Sequence, residues 1–243
     1  IIHSAAREPE VQDFVRFLNS AGARITGAGT SIVEVNGVDQ LCGVSHTVIP
    51  DRIEAATFAI AAAITQGDVT ITNAPTTQMT IVLNALSQIG VSVSATNDTL
   101  RVRAGSLHRP ATLTAEPYPG LPTDCQAQFI ALLSTISGTS QITDNVFPER
   151  FMHAAELVRM GADIRVQNNA AVIHGVSCLS GAPVMASDLR ASAALVLAAL
   201  AAKGRTEIRR VYHLDRGYQA FERKLNQLGA RIQRKDDGPT NIV

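Results

Sequence analysis

Three aspartates stand at the start of apolar, alanine-rich stretches of the sequence: Asp51, Asp124 and Asp188. An aspartate at the start of a helix accepts hydrogen bonds from the free backbone N–H groups there and suits the positive end of the helix dipole. Arg52 and Arg190 follow two of these aspartates closely. The pattern therefore predicts three helix N-termini with carboxylates and guanidinium groups close to them.

Two further arginines, Arg150 and Arg216, lie in short polar phrases between the apolar stretches. Helix N-termini and arginine side chains together are a common way of holding phosphate or carboxylate groups, so the pattern favours an anionic substrate. The alternative is purely structural. A capping aspartate needs no catalytic task, and arginines near aspartates often form only surface ion pairs.

Asp124 is the strongest candidate for a chemical role. It follows the segment Pro117–Thr123, whose prolines and glycine indicate an irregular, restricted loop ahead of the helix. A rigid loop that presents one carboxylate suits a general base directed at a sugar hydroxyl.

The elements that must position these residues recur at a fixed period. Four glycines that each end a helical phrase and precede a β-rich run lie 68, 71 and 68 residues apart, at Gly22, Gly90, Gly161 and Gly229. They alternate with three phrases that begin with an aspartate and end with a glycine, at residues 51–67, 124–138 and 188–204. Repeats of this kind bury their apolar faces by packing on one another, which predicts an α/β fold of βαβαββ units.

Counting the phrases divides the chain. Four glycine phrases accompany only three aspartate phrases, so the sequence is expected to begin in mid-repeat. We expect residues 1–47 to be the end of a first, incomplete domain, residues 48–234 to form a second domain, and residues 235–243 to be a tail without periodicity.

Composition argues against several classes of function. The formal net charge is zero and the pI is about 7.2, so no overall basic field favours nucleic acid or an anionic membrane. The longest apolar stretch, 191–202, is much shorter than the roughly 20 residues that span a bilayer. Three widely separated cysteines fit reduced thiols rather than a disulfide framework or a metal site, and no cofactor motif is present. We expect a cytoplasmic protein without a metal or organic cofactor.

Several long phrases resemble the family of UDP-N-acetylglucosamine enolpyruvyl transferases, the 1-carboxyvinyltransferases that open peptidoglycan synthesis. They are Pro50-Asp-Arg-Ile-Glu-Ala, Pro119-Gly-Leu-Pro-Thr-Asp-Cys-Gln-Ala-Gln-Phe129, Arg150-Phe-Met-His, Arg159-Met-Gly-Ala, Gly181-Ala-Pro-Val-Met-Ala-Ser-Asp-Leu-Arg-Ala-Ser192 and Tyr212-His-Leu-Asp-Arg-Gly-Tyr218. The resemblance runs from Ala5 to about Arg234. It implies an inside-out α/β barrel of two domains, each of three βαβαββ units, with the active site in the cleft between them.

The resemblance also implies a reaction and its residues. The enolpyruvyl group of phosphoenolpyruvate would pass to the 3′-hydroxyl of UDP-N-acetylglucosamine through a tetrahedral intermediate, with loss of phosphate and without metal or organic cofactor. By motif, Asp124 would contact the sugar hydroxyl and act as base, and Val146 would line the nucleotide-sugar site. Arg190 and Arg216 would hold phosphoenolpyruvate, with Asp188 beside them and Arg150 as a weaker candidate.

Departures from the family pattern leave alternatives open. The mobile-loop general acid of the family, with part of the phosphoenolpyruvate site, would lie upstream of Ile1, and none of the three cysteines matches that loop. Cys125 stands where the family commonly has Met, and Pro148 interrupts the phrase that contains Arg150. The alternatives are a non-catalytic fragment or degenerate homologue that only binds nucleotide-sugar, and the related shikimate-pathway enolpyruvyl transferase.

Overall fold

The computed structural model describes residues 1–105 and 108–235. The predicted tail, 235–243, lies outside the described residues except for Lys235. Within these ranges the chain forms seven α-helices: α1 (Pro9–Ser20), α2 (Arg52–Ile64), α3 (Thr80–Ile89), α4 (Thr123–Leu133), α5 (Met152–Arg159), α6 (Leu189–Ala201) and α7 (Phe221–Gln227). Short 3-10 helices cover Thr76–Gln78 and Val211–Arg216.

Twelve strands are assigned in the same ranges: β1 (Ile2–His3), β2 (Arg24–Thr26), β3 (Ile32–Asn36), β4 (Asp68–Ile71), β5 (Ser92–Thr96), β6 (Thr99–Arg103), β7 (Thr112–Ala115), β8 (Thr139–Asp144), β9 (Asp163–Gln167), β10 (Ala170–His174), β11 (Pro183–Met185) and β12 (Glu207–Arg209). They form four sheets, of order β1-β3-β2, β4-β6-β5, β7-β8-β10-β9 and β11-β12. The pairs β7–β8 and β11–β12 are parallel, and the other pairs are antiparallel.

Helices α2, α4 and α6 form the centre of the molecule. Most of their residues are buried, and each of the three helices contacts the other two. Alanine fills many of the buried positions of α2 and α6, and its small side chain lets helix axes approach closely. Strands such as β5 and β9 are largely exposed, so the helices lie inside and the sheets outside. The predicted α/β fold class, with this inside-out arrangement, is confirmed.

The predicted repeat is confirmed by its turns. Gly22, Gly90, Gly161 and Gly229 all have positive φ, between 91° and 103°, which residues with a Cβ rarely adopt. The first three are followed by strands β2, β5 and β9. In the second full unit, β9 pairs with β10 in an antiparallel hairpin, with Asp163 opposite His174.

The strand expected after Gly229 is not formed within the described residues, so that prediction is wrong for residues 230–235. The equivalent strand β9 is held by its ladder to β10. In the third unit, the described part of the chain contains only β11 and β12, paired with each other. Residues 230–235 thus have the sequence of a strand, but they lack a neighbouring strand in the described structure that would supply the ladder hydrogen bonds.

The three central helices share one register: each begins the same number of residues before the glycine that follows it. Helices α2, α4 and α6 begin 15 residues before Gly67, Gly138 and Gly204 respectively. The residue before each helix is therefore Asp51, Pro122 or Asp188, which are equivalent positions. This register decides which side chains meet at the site described below.

Gly175, which follows β10, provides a test of the packing of the second unit. A Cβ at this position would lie 1.6 Å from the carbonyl oxygen of Ile136, and the Gly175 N–H donates to the carbonyl of Gly138 at 2.9 Å. We expect Gly175→Ala to lower the free energy of unfolding by about 2 kcal/mol or more, because backbone must move to admit the methyl group. Urea denaturation measures this change.

Gly43→Ala is the matched control, since a Cβ there would meet nothing within 4 Å. Equal denaturation midpoints for the two variants would contradict the close packing described at Gly175.

Candidate active site

Asp124 does not cap its helix, contrary to the expectation that it is equivalent to Asp51 and Asp188. Asp51 and Asp188 each accept two backbone N–H bonds at the start of their helices. In α4 the capping position is taken by Pro122, and Asp124 is the second residue of the helix. The sequence interpretation misaligned Asp124 by two residues, because the proline-rich loop brings it two residues further into its helix than the other two aspartates. Its carboxylate is therefore available for other partners.

Two arginines hold the Asp124 carboxylate. The Nη1 atom of Arg150 donates to Oδ1 at 2.7 Å, and Nη2 of Arg190 donates to Oδ2 at 2.9 Å. The Asp124 side chain is 36% exposed, against 12% for Arg190. Burial acts to raise the pKa of Asp124, but the charges and hydrogen bonds of Arg190 and Arg150 outweigh it and hold that pKa below the ordinary value of 3.8. The carboxylate is ionised at neutral pH.

The repeat explains why Asp124 and Arg190 meet. Both are second residues of their helices, 14 residues before the glycine that follows, and the same position in α2 is Ile53. Because α4 and α6 pack against each other, the equivalent N-terminal turns face one another. Counting from the glycines rather than from the aspartates would have identified this pair in the sequence.

Asp124, Val146 and Arg190 line one cleft, of about 740 Å³. Val146 is held there by a tight loop, in which Oδ1 of Asp144 accepts the backbone N–H groups of Val146 and Phe147 at 2.9 and 2.8 Å. The other oxygen of Asp144 accepts the hydroxyl of Thr123 at 2.6 Å. Asp144 thus ties the loop of Val146 to the first turn of α4.

Arg150 reaches Asp124 although Pro148 interrupts its phrase. Its guanidinium lies over the ring of Phe147, with 5.6 Å between Cζ and the ring centroid. Proline therefore does not displace Arg150 from the site.

The opposite wall of the cleft comes from α1 and the segment before α2. The guanidinium of Arg52 binds both carboxylate oxygens of Glu10, at 2.8 and 3.2 Å, and lies over the ring of Tyr118. Asp13 accepts from the backbone N–H of Ile49 at 3.3 Å. Arg52 is thus engaged by protein groups, and its bonds to Glu10 fasten α1 to α2, while the Asp13 bond ties the segment before α2 to α1.

Three predicted site residues do not line this cleft: Arg150, which reaches Asp124 from beside it, Asp188 and Arg216. The carboxylate of Asp188 caps α6, accepting from the backbone N–H groups of Arg190 and Ala191 at 2.8 and 2.9 Å. Arg216 ends the 3-10 helix 211–216, is exposed, and does not line the cleft. The structure therefore brings together Asp124, Arg150, Arg190 and Val146, and leaves Arg216 apart. Asp188 lies next to Arg190, but its carboxylate bonds to the helix backbone and does not line the cleft.

Cys125 and His153 are buried beside the charged residues of the site. Burial raises the pKa of the Cys125 thiol to about 12, so it stays protonated and is a poor nucleophile. Burial lowers the pKa of His153 to about 4, so its imidazole is neutral at pH 7. His153 thus contributes no positive charge next to Arg150.

The described residues, 1–105 and 108–235, contain neither a cluster of metal ligands nor a membrane-spanning helix. In these ranges no group of three or more His, Cys, Asp or Glu side chains is placed to hold a metal ion. None of the helices found there is long and apolar enough to cross a bilayer.

Comparison with known proteins identifies the family to which this chain belongs. The family profile described as EPSP synthase (3-phosphoshikimate 1-carboxyvinyltransferase) matches residues 1–238, nearly the whole chain. The chain belongs to the EPSP synthase family. Within the family, it is 51% identical over 237 residues to a UDP-N-acetylglucosamine 1-carboxyvinyltransferase of Nitratidesulfovibrio vulgaris strain Hildenborough. It is 53% identical over 239 residues to the protein of that name from Akkermansia muciniphila.

Two solved structures agree with this fold. The enolpyruvyl transferase NikO from Streptomyces tendae superposes with a TM-score of 0.84 and 31% identity, covering 95% of this chain and 55% of NikO. EPSP synthase from Acinetobacter baumannii superposes with a TM-score of 0.62 at 18% identity, covering 78% of this chain and 45% of that protein, which supports the fold alone.

The chain spans little more than half the length of these family members. The alignments cover 97% of this chain but 57% of the Nitratidesulfovibrio protein, and 98% of this chain but 56% of the Akkermansia protein.

His153 predicts a pH dependence of stability. In the unfolded chain its imidazole takes up a proton near the ordinary pKa of 6.5, but in the folded protein only near pH 4. Between these values the unfolded state binds more protons, so this group lowers the stability as the pH falls from about 6.5 to about 4. We expect His153→Gln to lose less of its unfolding free energy than wild type over this interval, as measured by urea denaturation at several pH values.

His3→Gln, an exposed substitution on β1, is the matched control. A parallel decline for wild type and His153→Gln would show that His153 is not a buried neutral imidazole.

Proposed function

We propose that this chain carries part of the active site of an enzyme that transfers the enolpyruvyl group of phosphoenolpyruvate to the 3′-hydroxyl of UDP-N-acetylglucosamine, with release of phosphate. One observation supports this most strongly. An ionised Asp124 lines the cleft and is bonded to both Arg150 and Arg190. The chain that presents it is 51–53% identical to proteins named UDP-N-acetylglucosamine 1-carboxyvinyltransferase. A carboxylate beside cationic groups suits a reaction between a hydroxyl and a multiply charged anion.

The proposed chemistry has two steps. In the first, the sugar hydroxyl oxygen bonds to C2 of phosphoenolpyruvate while its proton passes to Asp124, and C3 accepts a proton from an acid. In the second, C3 returns a proton to the acid that supplied it and the bond from C2 to the phosphate oxygen breaks, which restores the vinyl group. Phosphate leaves as hydrogen phosphate, so the proton taken from the hydroxyl leaves with it. We expect the acid to come from a part of the protein outside these 243 residues.

Arg190 is the proposed anchor for the anionic donor. A guanidinium has five N–H groups, and in the described structure one bonds to Asp124 and one to Tyr218. Three remain for phosphate or carboxylate oxygens. Arg216 stays a further candidate for the same anion, but it is exposed and outside the cleft, so Arg190 carries the proposal.

The arginines that would bind the donor also restrain the proposed base. With both oxygens bonded to guanidinium groups, Asp124 has a lowered pKa and accepts a proton poorly. An anion that draws Arg150 and Arg190 toward itself would weaken these bonds and raise the pKa of the carboxyl. We propose that binding of phosphoenolpyruvate in this way makes Asp124 a better base.

The shikimate-pathway reaction is the less supported alternative. It shares the family name, but the EPSP synthase from Acinetobacter baumannii is only 18% identical to this chain. Proteins named for the UDP-N-acetylglucosamine reaction are 51–53% identical over almost all of it.

The expected compartment remains the cytoplasm, and this too is a proposal. The three cysteines are free thiols in the structure, as a reducing environment would leave them.

Asp124→Asn tests the proposed base. The amide keeps the shape of the side chain but cannot accept the hydroxyl proton, so we expect the rate of phosphate release from the two substrates to fall by at least about a hundredfold in the complete protein. Circular dichroism and thermal unfolding establish that the variant is folded.

Asp163→Asn, an exposed substitution on β9, is the control and should retain wild-type turnover. Near-normal phosphate release by the Asp124 variant would disprove its role as base.

The restraint of Asp124 by arginine makes a second prediction. Saturating phosphoenolpyruvate should raise the pKa of Asp124, as followed by the carbon-13 shift of its side-chain carboxyl during titration. Asp68 provides an internal control, since its pKa is lowered by Arg101 on an exposed sheet and should not respond. An Asp124 titration that is unchanged, or that moves to lower pH, would contradict the proposed competition for the arginines.

A further inference from the structure

A buried polar cluster lies one to two turns below Asp124, between the three central helices. It consists of Thr57 on α2, Gln128 on α4 and Tyr218, which follows the 3-10 helix 211–216. The hydroxyls of Thr57 and Tyr218 are 2.8 Å apart, and Nε2 of Gln128 lies 3.2 Å from the Thr57 hydroxyl and 3.5 Å from that of Tyr218. We call these three residues the Tyr218 cluster. None of them lines the cleft.

One hydrogen bond connects the Tyr218 cluster to the residues of the cleft. Nη1 of Arg190 donates to the Tyr218 hydroxyl at 3.3 Å, while Nη2 of the same guanidinium donates to Asp124. Cζ of Arg190 also lies 5.6 Å from the centroid of the Tyr218 ring. Arg190 is thus held on one side by a carboxylate and on the other by a tyrosine that is only 2% exposed.

The repeat indicates why a tyrosine from outside the helices is needed here. Thr57, Gln128 and Ala194 occupy equivalent positions, each 10 residues before the glycine that follows its helix. Two of these positions carry polar side chains, but Ala194 has no polar group. The Tyr218 hydroxyl supplies the third polar group of this layer, and it is the one that bonds to Arg190.

A polar cluster at this depth has an energetic cost unless its groups are paired. The side chains of Thr57 and Gln128 are fully buried, and Oε1 of Gln128 has no hydrogen-bond partner among the described residues. Aliphatic side chains of similar size would pack here without that cost. A cluster that serves only packing has no need of the hydroxyl groups.

From this arrangement we infer that Tyr218 is a positioning residue: its hydroxyl, anchored by Thr57 and Gln128, orients the Arg190 guanidinium toward Asp124 and the cleft. Only the expected effect of Tyr218 on turnover rests on the proposed function. Its effect on Arg190 and Asp124 follows from the contacts themselves.

Tyr218→Phe isolates the hydroxyl. The ring stays to pack against Phe221, whose centroid is 4.8 Å away, and under Arg190. Without the hydroxyl, Arg190 should bind Asp124 less constantly, so the pKa of the Asp124 carboxyl should rise toward its ordinary value in a carbon-13 titration. In the complete protein we expect KM for phosphoenolpyruvate to rise about tenfold, the effect of losing one hydrogen bond to a charged group, with a smaller change in kcat.

Two further substitutions separate positioning from packing. Thr57→Val removes the anchoring hydroxyl and should shift the Asp124 titration in the same direction, whereas Thr57→Ser keeps the hydroxyl and should restore wild-type behaviour. The Thr57 pair also tests the inference if Tyr218→Phe fails to fold. Tyr212→Phe is the matched control, because the Tyr212 hydroxyl is exposed and bonds to Arg210 at 3.2 Å.

The outcomes are distinct. An unchanged Asp124 titration and an unchanged KM in Tyr218→Phe would overturn the inference, even if the variant were less stable. An equal shift in Tyr212→Phe would also overturn it. A shifted Asp124 titration in Tyr218→Phe supports positioning even if the wild-type protein transfers no enolpyruvyl group, and in that case only the proposed function fails.

Discussion

The site depends on the groups that neutralise and hydrogen-bond one largely buried guanidinium. The Arg190 side chain is only 12% exposed, and a charge with so little water around it needs polar or oppositely charged partners. Asp124 supplies the opposite charge and the Tyr218 hydroxyl supplies an acceptor. Burial acts to lower the pKa of Arg190, but these neighbours outweigh it and raise that pKa, so the guanidinium stays charged. The ionised state of the Asp124 carboxylate and the N–H groups that Arg190 keeps for a ligand follow from this arrangement.

The repeated fold makes the arrangement possible. Helices α2, α4 and α6 pack together with their N-terminal turns at the same level, so side chains from segments far apart in the sequence converge. The loops then refine the site. Asp144 ties Val146 to the start of α4, and the pairing of Arg52 with Glu10 fastens α1 to α2.

Sequence patterns identified the parts whose cause is local. The glycines that end the helices and the caps at Asp51 and Asp188 each depend on neighbouring residues, and both were predicted. Asp124 lines the cleft, but the sequence interpretation gave it the wrong position in its helix, because Pro122 displaces it from the cap. The Tyr218 cluster was missed, since its members are 71 and 90 residues apart and nothing local marks them. The strand after Gly229 was predicted from composition, but a ladder also requires a partner.

The second position of the three central helices shows what duplication offers a protein. One backbone site, copied three times, carries isoleucine in the first copy, aspartate in the second and arginine in the third. Had the copies stayed alike, three like charges would repel one another or three apolar groups would form only a core. Because the three equivalent positions differ, the repeated scaffold carries a pair of opposite charges at this level. Neither charged copy has a spare, so a mutation that removes one cannot be compensated by the symmetry that created it.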